Sequence, residues 1–267
     1  MKDLSIVIVN WNTKELVLDC INSIIESKTK VKYEIIVVDN GSTEGSVEAL
    51  RKIKEIKLIE NKENLGFAKA NNQGIKIAEG KYILLLNSDT KVKRGSIDKL
   101  YKFAKEKAGA GVVGSRLLNP DGSIQASCFR FPTIISAINE YWLGQRGLTA
   151  KYIPDNSTPT QVDVVVGASF LITPQAIKKV GLLDERFFFF FEDLDYCRRV
   201  YKEGLKVYYL PESEVVHYHG SSIRKVVTKD DSWRSLIPGS KIYHGIIKHY
   251  IINFIIWSGQ KWQKLFR

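Results

Sequence analysis

Short apolar runs alternate with helix-like segments along the first third of this chain, and this alternation constrains its fold most strongly. A helix is predicted after Thr13, which can cap it, and further helices are predicted over residues 46–54 and 66–79. Strands are predicted over residues 4–9, 35–38, 56–59 and 82–86. Because strands and helices that alternate at this length form βαβ units, the sequence predicts an α/β fold with a mostly parallel central sheet flanked by helices.

Short polar residues follow each of the predicted strands. The carboxyl ends of parallel strands meet at one edge of a sheet, where α/β proteins bind their ligands. Asn, Asp, Gly and Ser are also ordinary turn residues, but their recurrence after every strand favours a polar ligand site. The residues expected at this edge are Asn10, Asn12, Asp39, Asn64, Gly66, Asn87, Ser88 and Asp89.

An acidic cluster follows five consecutive phenylalanines at residues 187–191. Glu192 and Asp193 stand directly beside rings that prefer burial, so one hypothesis is a desolvated site that raises a carboxylate pKa toward a value useful for proton abstraction. The alternative is a buried strand that runs into the acidic first turn of a helix, predicted over residues 192–202. Both interpretations are consistent with this segment alone.

Two further extended segments are predicted in the second half of the chain, after an irregular region at residues 118–163. Residues 162–172 are predicted as a strand, and the small residues Gly167 and Ala168 within it indicate close approach of a ligand or of another backbone segment. The last strand is predicted over residues 206–210, before Pro211.

Oxygen and nitrogen ligands follow two of these strands. Asp89, with a second oxygen two positions earlier at Asn87, can hold Mg²⁺ or Mn²⁺, ions that bind substrate phosphates while keeping several waters. His217 and His219 alternate in an extended segment and therefore point the same way, which favours metal ligation or phosphate contact as much as a structural role.

The net charge of +11 indicates an anionic partner, either nucleic acid, an anionic membrane surface or a phosphate-bearing small molecule. Cys20, Cys128 and Cys197 lie far apart, which argues against a disulfide framework or a zinc site and for a reducing compartment. No apolar stretch approaches the roughly 18–20 residues that span a bilayer.

The last residues, 241–267, are basic and strongly apolar and contain no acidic residue. A basic, aromatic-rich helix too short to span is typical of a segment that lies in a membrane interface, and a helix docked on the rest of the protein is the alternative. We expect residues 1–225 to form one domain, and residues 226–267 to form amphipathic helices that bind an anionic membrane surface.

Nine short segments form an ordered set of motifs, found at residues 5–12, 37–43, 64–68, 71–74, 84–89, 167–172, 181–188, 192–195 and 217–220. In order and spacing they resemble glycosyltransferase family 2, and within it the bacterial rhamnosyltransferase-like group that builds cell-surface polysaccharides. Each motif is weak alone, whereas the set is specific and covers roughly residues 4–225. The resemblance implies the GT-A nucleotide-sugar-binding fold.

The resemblance also implies roles for matching residues. Asp193 would be the general base that deprotonates the acceptor hydroxyl, and Glu192 would help to bind or orient the acceptor. Asn87 departs from the family's DxD motif, in which an aspartate stands at that position, and leaves a single carboxylate, Asp89, for the metal. The implied donor-binding residues are Asn10, Asn12, Asp39, Asn64, Gly66, Asn71, Asn87, Ser88 and Asp89; the acceptor-binding residues are Gly167, Ala168 and Glu192; the metal ligands are Asp89 with His217 or His219.

The activity implied is inverting transfer of a sugar, rhamnose from TDP-rhamnose or a hexose from a UDP-sugar, onto a glycan acceptor. The acceptor would be lipid-linked, at the cytoplasmic face of the membrane, with no nucleic acid as partner. A sugar nucleotidyltransferase is one alternative, but it needs a Gly-rich basic phosphate loop that residues 10–14 do not supply. A non-catalytic basic protein that binds membranes or nucleic acid is the other, and it leaves the strand-end motifs unexplained.

Overall fold

The computed structural model describes residues 2–154, 157–218 and 234–265. In the first third of the chain, apolar runs rich in Val, Ile and Leu form parallel strands, and each helix returns the chain to the start of the next strand. These elements are β1 (Leu4–Asn10), α1 (Lys14–Glu26), β2 (Tyr33–Asn40), α2 (Ser46–Leu50), β3 (Ile56–Asn61), α3 (Phe67–Lys76) and β4 (Tyr82–Asn87).

The rest of the chain completes the sheet and adds helices. Its strands are β5 (Thr90–Val92), β6 (Ala110–Leu118), β7 (Ile124–Gln125), β8 (Cys128–Phe129), β9 (Thr160–Gln161), β10 (Val164–Val165), β11 (Ser169–Ile172) and β12 (Lys206–His217). Its helices are α4 (Ser96–Glu106), α5 (Ile134–Tyr141), α6 (Pro174–Val180), α7 (Glu192–Lys202), α8 (Leu236–His244) and α9 (Ile246–Leu265).

The main sheet has the strand order β3-β2-β1-β4-β11-β6-β12-β5, with β7 and β9 at its side. The strand pairs β1–β2, β1–β4, β2–β3 and β6–β12 are parallel. β11 and β5 run antiparallel to the strands they pair with. The predicted α/β fold with a mostly parallel central sheet is therefore confirmed.

Helices cover both faces of this sheet. Ile6 and Ile8 of β1 belong to a buried cluster with Val17 of α1, whereas the intervening Val7 belongs to a second cluster with Ile75 of α3. Successive side chains of a strand point to opposite faces, so a strand buried on both faces reads as a continuous apolar run. This double coverage leaves the carboxyl edge of the sheet as the place where polar side chains gather.

The register of the parallel strands aligns their polar ends. Asn10 of β1 lies opposite Asp39 of β2, and Val9 lies opposite Asn87 of β4. Asn40 of β2 lies opposite Asn61 of β3. The strand-end residues expected at one edge are thus brought side by side.

Two predicted strands differ from the observed ones. Residues 162–172 form two strands, β10 and β11, which belong to different sheets because the chain turns between them at Gly167. The last strand does not end at Pro211 but continues to His217. A register shift between Leu210 and Glu214 accommodates the proline, which has no N–H to donate.

Other boundaries differ as well. The helix predicted over residues 46–54 ends at Leu50, and the one predicted over 66–79 ends at Lys76. The sequence pattern predicts neither α4 nor β6. In β6 the apolar run is interrupted by glycines, and a Cβ at Gly114 would lie 2.6 Å from Val165 Cβ, so close packing requires glycine there.

The C-terminal helices pack on the rest of the molecule through one side. Gln263 Nε2 of α9 donates to the carbonyl of Tyr141 in α5 (2.9 Å), and Arg198 Nη1 of α7 donates to the carbonyl of Tyr243 in α8 (3.0 Å). Amphipathic C-terminal helices and the docked arrangement are both observed. The expected domain boundary at residue 225 lies outside the described residues. Among the helices in the described part of the chain, none is long and apolar enough to cross a membrane.

Candidate functional site

A hydrogen-bonded cluster joins the ends of β1 and β2. Asn10 Nδ2 donates to Asp39 Oδ2 (2.8 Å), and the Ser42 N–H donates to Asp39 Oδ1 (2.9 Å). Asn12 has a left-handed backbone (φ 54°) that asparagine tolerates, and its N–H donates to Ser42 Oγ (2.8 Å). Both oxygens of the Asp39 carboxylate are held, so this cluster is a rigid, polar wall of the site.

Thr13 links this cluster to β4. Its hydroxyl donates to Asn10 Oδ1 (2.7 Å) and lies 3.0 Å from Ser88 Oγ. Thr13 occupies the predicted N-cap position of α1, but its side chain makes no capping hydrogen bond. The predicted capping role of the Thr13 hydroxyl is therefore wrong. The hydroxyl bridges two strand ends instead.

Asn40, which the sequence analysis does not single out, organises the loop after β3. Its Nδ2 donates to Asn64 Oδ1 (2.8 Å), and Asn64 Oδ1 also accepts from the Gly66 N–H (2.9 Å). Gly66 has a φ of 88°, and a Cβ there would lie 2.8 Å from the Phe188 carbonyl oxygen. Glycine is therefore required where this loop meets the phenylalanine run. Asn71 is buried on α3, and its Nδ2 donates to a carbonyl of its own helix.

Asp89 and His217 meet at the end of β4, as the sequence analysis expects. His217 Nε2 lies 3.4 Å from Asp89 Oδ1, and both side chains are buried. Gln125 Nε2 donates to Asn119 Oδ1 (2.8 Å), which leaves Gln125 Oε1 to accept from His217 Nδ1 (2.7 Å). With Nδ1 protonated in this way, a neutral ring directs its Nε2 lone pair at the carboxylate. His219 lies outside the described residues.

These residues fit a divalent cation. A lone pair and a carboxylate oxygen that face each other need a proton or a cation between them. Metal-binding histidines typically donate their other ring N–H to a neighbouring oxygen, as His217 Nδ1 does to Gln125 Oε1. Asn87 Oδ1, two positions before Asp89 in the chain, is buried and has no hydrogen-bond partner among the described residues. The described part of the chain holds no cluster of three or more His, Cys, Asp or Glu side chains able to bind a metal. A set this small suits an ion that completes its shell with waters and phosphate oxygens.

The second half of the site is the first turn of α7. Asp193 Oδ2 accepts from the Gly167 N–H (3.2 Å), and Asp193 Oδ1 accepts from the Leu194 N–H (2.8 Å). Ala168 is buried, and its carbonyl accepts from the Asn87 N–H (3.1 Å). The Gly167–Ala168 turn thus connects the end of β4 to Asp193, and a small cavity between Gly167 and Asp193 is also lined by Phe67.

The two adjacent carboxyl groups have different environments. Burial, and after it the charge of Asp193, together raise the pKa of Glu192 to about 8. Burial also raises the pKa of Asp193, but backbone N–H groups of Leu194 and Gly167 and the charge of Lys151 lower it. Glu192 Oε2 is buried with no partner among the described residues. The negative charge of the pair therefore resides on Asp193, and Glu192 is held neutral.

The phenylalanine run does not form the predicted buried strand. Phe187 is buried, whereas Phe188 is 57 % exposed. Phe190 and Phe191 both have left-handed backbones, with φ values of 68° and 71°. Non-glycine residues rarely adopt this conformation, and two in succession make a sharp turn that aims the first residues of α7. α7 begins at Glu192, so the predicted acidic helix start is confirmed. The buried strand predicted before it is instead a loop with a strained backbone.

Helix α8 supports this turn. The Phe191 ring lies 5.6 Å from the Tyr243 ring, and a Cβ at Gly239 would lie 2.9 Å from Phe191 Cδ2. The Arg198 guanidinium lies 3.9 Å from the Tyr243 ring centroid and donates to Asp195 Oδ1 (2.9 Å). Asp195 thus has a structural role, since it ties α7 to its own arginines and, through Arg198, to α8.

Several residues that build the site carry no sequence signal of their own. Gln125 and Lys151 lie in the irregular region, where no periodic pattern marks them. Ser42 and Thr13 are ordinary turn and cap residues, and only the position at a strand end could have indicated their role. The three cysteines are buried.

Comparison with known proteins finds relatives among glycosyltransferases. The sequence profile described as Glycosyl transferase family 2 matches residues 5–181. An N-acetylglucosaminyl-diphospho-decaprenol L-rhamnosyltransferase of Mycobacterium tuberculosis is 29 % identical over 213 residues, which cover 73 % of this chain and 69 % of that protein. The dTDP-rhamnosyl transferase RfbF of Shigella flexneri is 25 % identical over 224 residues, 82 % of this chain and 70 % of that protein.

A solved structure supports the fold. GalNAc-T7, crystallised with UDP, GalNAc and Mn²⁺, superposes with a TM-score of 0.62 at 16 % sequence identity. The match covers 81 % of this chain and 44 % of that one. At this identity the likeness concerns the fold alone.

The environment of Glu192 predicts a pH-dependent stability. Its pKa is about 8 in the folded chain against an ordinary value of 4.5, so between these values the unfolded chain has released a proton that the folded chain keeps. The free energy of unfolding therefore falls as pH rises through this window. In Glu192→Gln this contribution is absent, and the wild-type stability should decline relative to the variant by up to about 1.4 kcal/mol per pH unit. Urea unfolding at successive pH values measures the difference, and parallel profiles would contradict a neutral Glu192.

Proposed function

The chain belongs to glycosyltransferase family 2, and we propose that it transfers rhamnose from TDP-rhamnose to a lipid-linked glycan acceptor with inversion at the anomeric carbon. A UDP-hexose is the second donor that the family membership supports. Rhamnose is supported by the relatives from Mycobacterium tuberculosis and Shigella flexneri, both of which are rhamnosyltransferases by name. We also propose a role in bacterial cell-surface polysaccharide synthesis.

One observation carries the proposal. The Asp39 cluster, the Asp89–His217 pair and Asp193 lie along one edge of the sheet and are connected by hydrogen bonds. Thr13 makes the first connection, and the Asn87–Ala168 bond makes the second. Such an edge offers three adjacent subsites, for a nucleoside, a diphosphate and an acceptor hydroxyl.

We assign the donor to the first two subsites. Asp39, whose carboxylate is fixed by its neighbours, would contact the nucleoside. The residues proposed to shape the rest of the donor site are Asn10, Asn12, Asn64, Gly66, Asn71, Asn87, Ser88 and Asp89. Mg²⁺ or Mn²⁺ would be held by Asp89 and His217, with the unpartnered Asn87 Oδ1 and His219 as further candidate ligands. When bound, such an ion neutralises charge on the diphosphate group.

Asp193 is proposed to act as the general base. The acceptor hydroxyl gives its proton to the Asp193 carboxylate as its oxygen forms a bond to the anomeric carbon. On the opposite face the bond from that carbon to the phosphate oxygen breaks, and its electron pair leaves with the nucleoside diphosphate.

The exposed ring of Phe188 and the Gly167 turn lie on the acceptor side. Neutral Glu192 can donate a hydrogen bond to the acceptor, and Ala168 supports the turn from below.

Charge distribution assists the base. The N–H groups of Gly167 and Leu194 stabilise the Asp193 carboxylate, while burial keeps its pKa raised and preserves its basicity. A group of this kind contributes about 10²–10⁴-fold to a rate. If Glu192 were ionised, two adjacent anions would face one acceptor, so the neutral state of Glu192 favours acceptor binding.

We also propose that the enzyme associates peripherally with the cytoplasmic face of the membrane through its C-terminal segment. The apolar residues of α9 together with its lysines support this location. A membrane-bound enzyme would meet an acceptor whose lipid is held in the same bilayer.

The donor proposal is tested with a panel of nucleotide sugars assayed for release of nucleoside diphosphate. TDP-rhamnose is expected to give the fastest release, with UDP-hexoses next, in the presence of Mg²⁺ or Mn²⁺.

A chelator should slow the reaction, and Asp89→Ala should lower donor affinity. Fastest release from a different donor class would overturn the choice of rhamnose, and donor affinity that a chelator leaves unchanged would overturn the metal assignment.

Replacing the base tests the acceptor half of the site. Asp193→Asn keeps the size of the side chain but cannot accept the proton, so turnover should fall about 10²–10⁴-fold while the dissociation constant for TDP stays the same. Steady-state assays and calorimetric titration measure the two quantities. Glu192→Gln is the matched comparison, and its turnover should fall far less because the glutamate is already neutral. Equal losses of donor affinity and turnover in Asp193→Asn would contradict the role of a base.

A further inference from the structure

Large apolar side chains are exposed on two neighbouring helices, α5 and α9. On α9, Ile247 (76 %), Phe254 (65 %) and Trp257 (57 %) follow one another at helical spacing along one side. On α5 and just after it, Ile135 (69 %) and Leu143 (68 %) are equally exposed. Contiguous exposed apolar surface of this kind marks a site of contact with a partner or a membrane.

The two helices meet through a pair of partly exposed tryptophan rings. The Trp142 ring, directly after α5, stacks on the Trp262 ring of α9 with centroids 5.7 Å apart. Below this pair, Gly259 allows close approach, since a Cβ there would lie 2.6 Å from Tyr141 Cβ. We call the exposed apolar side chains of the two helices, namely Ile135, Leu143, Ile247, Phe254 and Trp257, the α5–α9 face.

The charges around this surface identify its partner. Lys248, Lys261 and Lys264 of α9 are exposed, and residues 234–265 contain no acidic residue. Glu140, the acid of α5, accepts a hydrogen bond from the Thr149 N–H (2.6 Å). A second copy of the chain would bring like charges together across such a surface. An anionic bilayer complements both the apolar centre and the basic rim.

We infer that the whole α5–α9 face, and not the C-terminal segment alone, lies on an anionic phospholipid bilayer. The inference rests on the membrane association proposed above and adds to it an element that lies within the first 225 residues. Trp side chains suit the headgroup region, because an apolar ring carries a polar N–H. The Trp142–Trp262 pair, where α5 and α9 meet, would lie in this headgroup region.

The same contacts relate the bilayer to the active site. α8 directly precedes α9 in the chain. Through Tyr243 it contacts Phe191, just before α7, and Arg198 of α7. The face is therefore connected to the helix that carries Asp193 through two interfaces, α9 with α8 and α8 with α7. An acceptor whose lipid lies in this bilayer would be presented to a catalytic helix held at a fixed distance from it.

Vesicle co-sedimentation of the full-length protein tests the inference. The probes are vesicles of phosphatidylglycerol with phosphatidylcholine, and vesicles of phosphatidylcholine alone. The paired substitutions Ile135→Ser/Leu143→Ser and Ile247→Ser/Phe254→Ser should each weaken binding to the anionic vesicles about tenfold, because each removes apolar surface from the interface. The matched control is Ile77→Ser/Ile124→Ser, which removes two side chains of 43 % and 41 % exposure that lie outside the face. The control should bind as the wild-type protein does.

Each result has one meaning. Weakened binding in both paired variants, with wild-type sugar-nucleotide turnover in solution showing that they fold, supports the inference. Unchanged binding of the α5 variant beside weakened binding of the α9 variant would overturn it. Paired variants that alter sedimentation of the free protein from dimer to monomer would assign the face to a second copy and also overturn it. If the wild-type protein releases nucleoside diphosphate but binds no vesicle, membrane association fails while the transfer reaction stands.

Discussion

The register of the parallel strands is the constraint on which the rest of the site depends. Parallel pairing places Asn10 beside Asp39, and Val9 beside Asn87, so the polar residues after each strand lie at one edge. Burial of the strands on both faces makes this register costly to change, because a shift of one residue would exchange their core-facing side chains. The edge is then fixed by side-chain bonds, above all those of Thr13, Asn10 and Asp39.

A second constraint acts on the acidic half of the site. Two adjacent carboxyl groups at the start of a helix cannot both ionise cheaply in a buried place, and their surroundings decide which one does. Asp193 receives two N–H donors and the influence of Lys151, whereas Glu192 Oε2 receives no donor from the described residues. The left-handed turn at Phe190 and Phe191 sets the direction of both side chains, and α8 holds that turn in place.

Most of the fold and much of the site were predictable because they follow from local patterns. Continuous apolar runs and short polar residues after them predicted β1 to β4 and the edge that they share. The acidic helix start at Glu192 was likewise visible. β6 was not, because Gly111 and Gly114 interrupt its pattern for the sake of close packing that depends on distant residues. Gln125 and Lys151 were not visible either, since only the folded chain brings them to His217 and Asp193.

The C-terminal helices show how far an amphipathic pattern extends. Sequence alone allowed a membrane helix or a docked helix, and the observed helices have a docked side and an exposed apolar side. Because α9 docks on α5, a second helical segment with exposed apolar side chains, Ile135 and Leu143, lies next to it. The C-terminal sequence alone could not predict this. Through α8, the proposed membrane face is connected to α7, the helix that carries Asp193.

The central claim is that a single ionised carboxylate, Asp193, activates the acceptor directly, so that transfer occurs in one displacement. The most direct measurement is the anomeric configuration of the product, read from the one-bond carbon–proton coupling at the transferred sugar. A single displacement assisted by Asp193 gives a configuration opposite to that of the donor. Retained configuration would require a different arrangement of reacting groups and would rule out this mechanism.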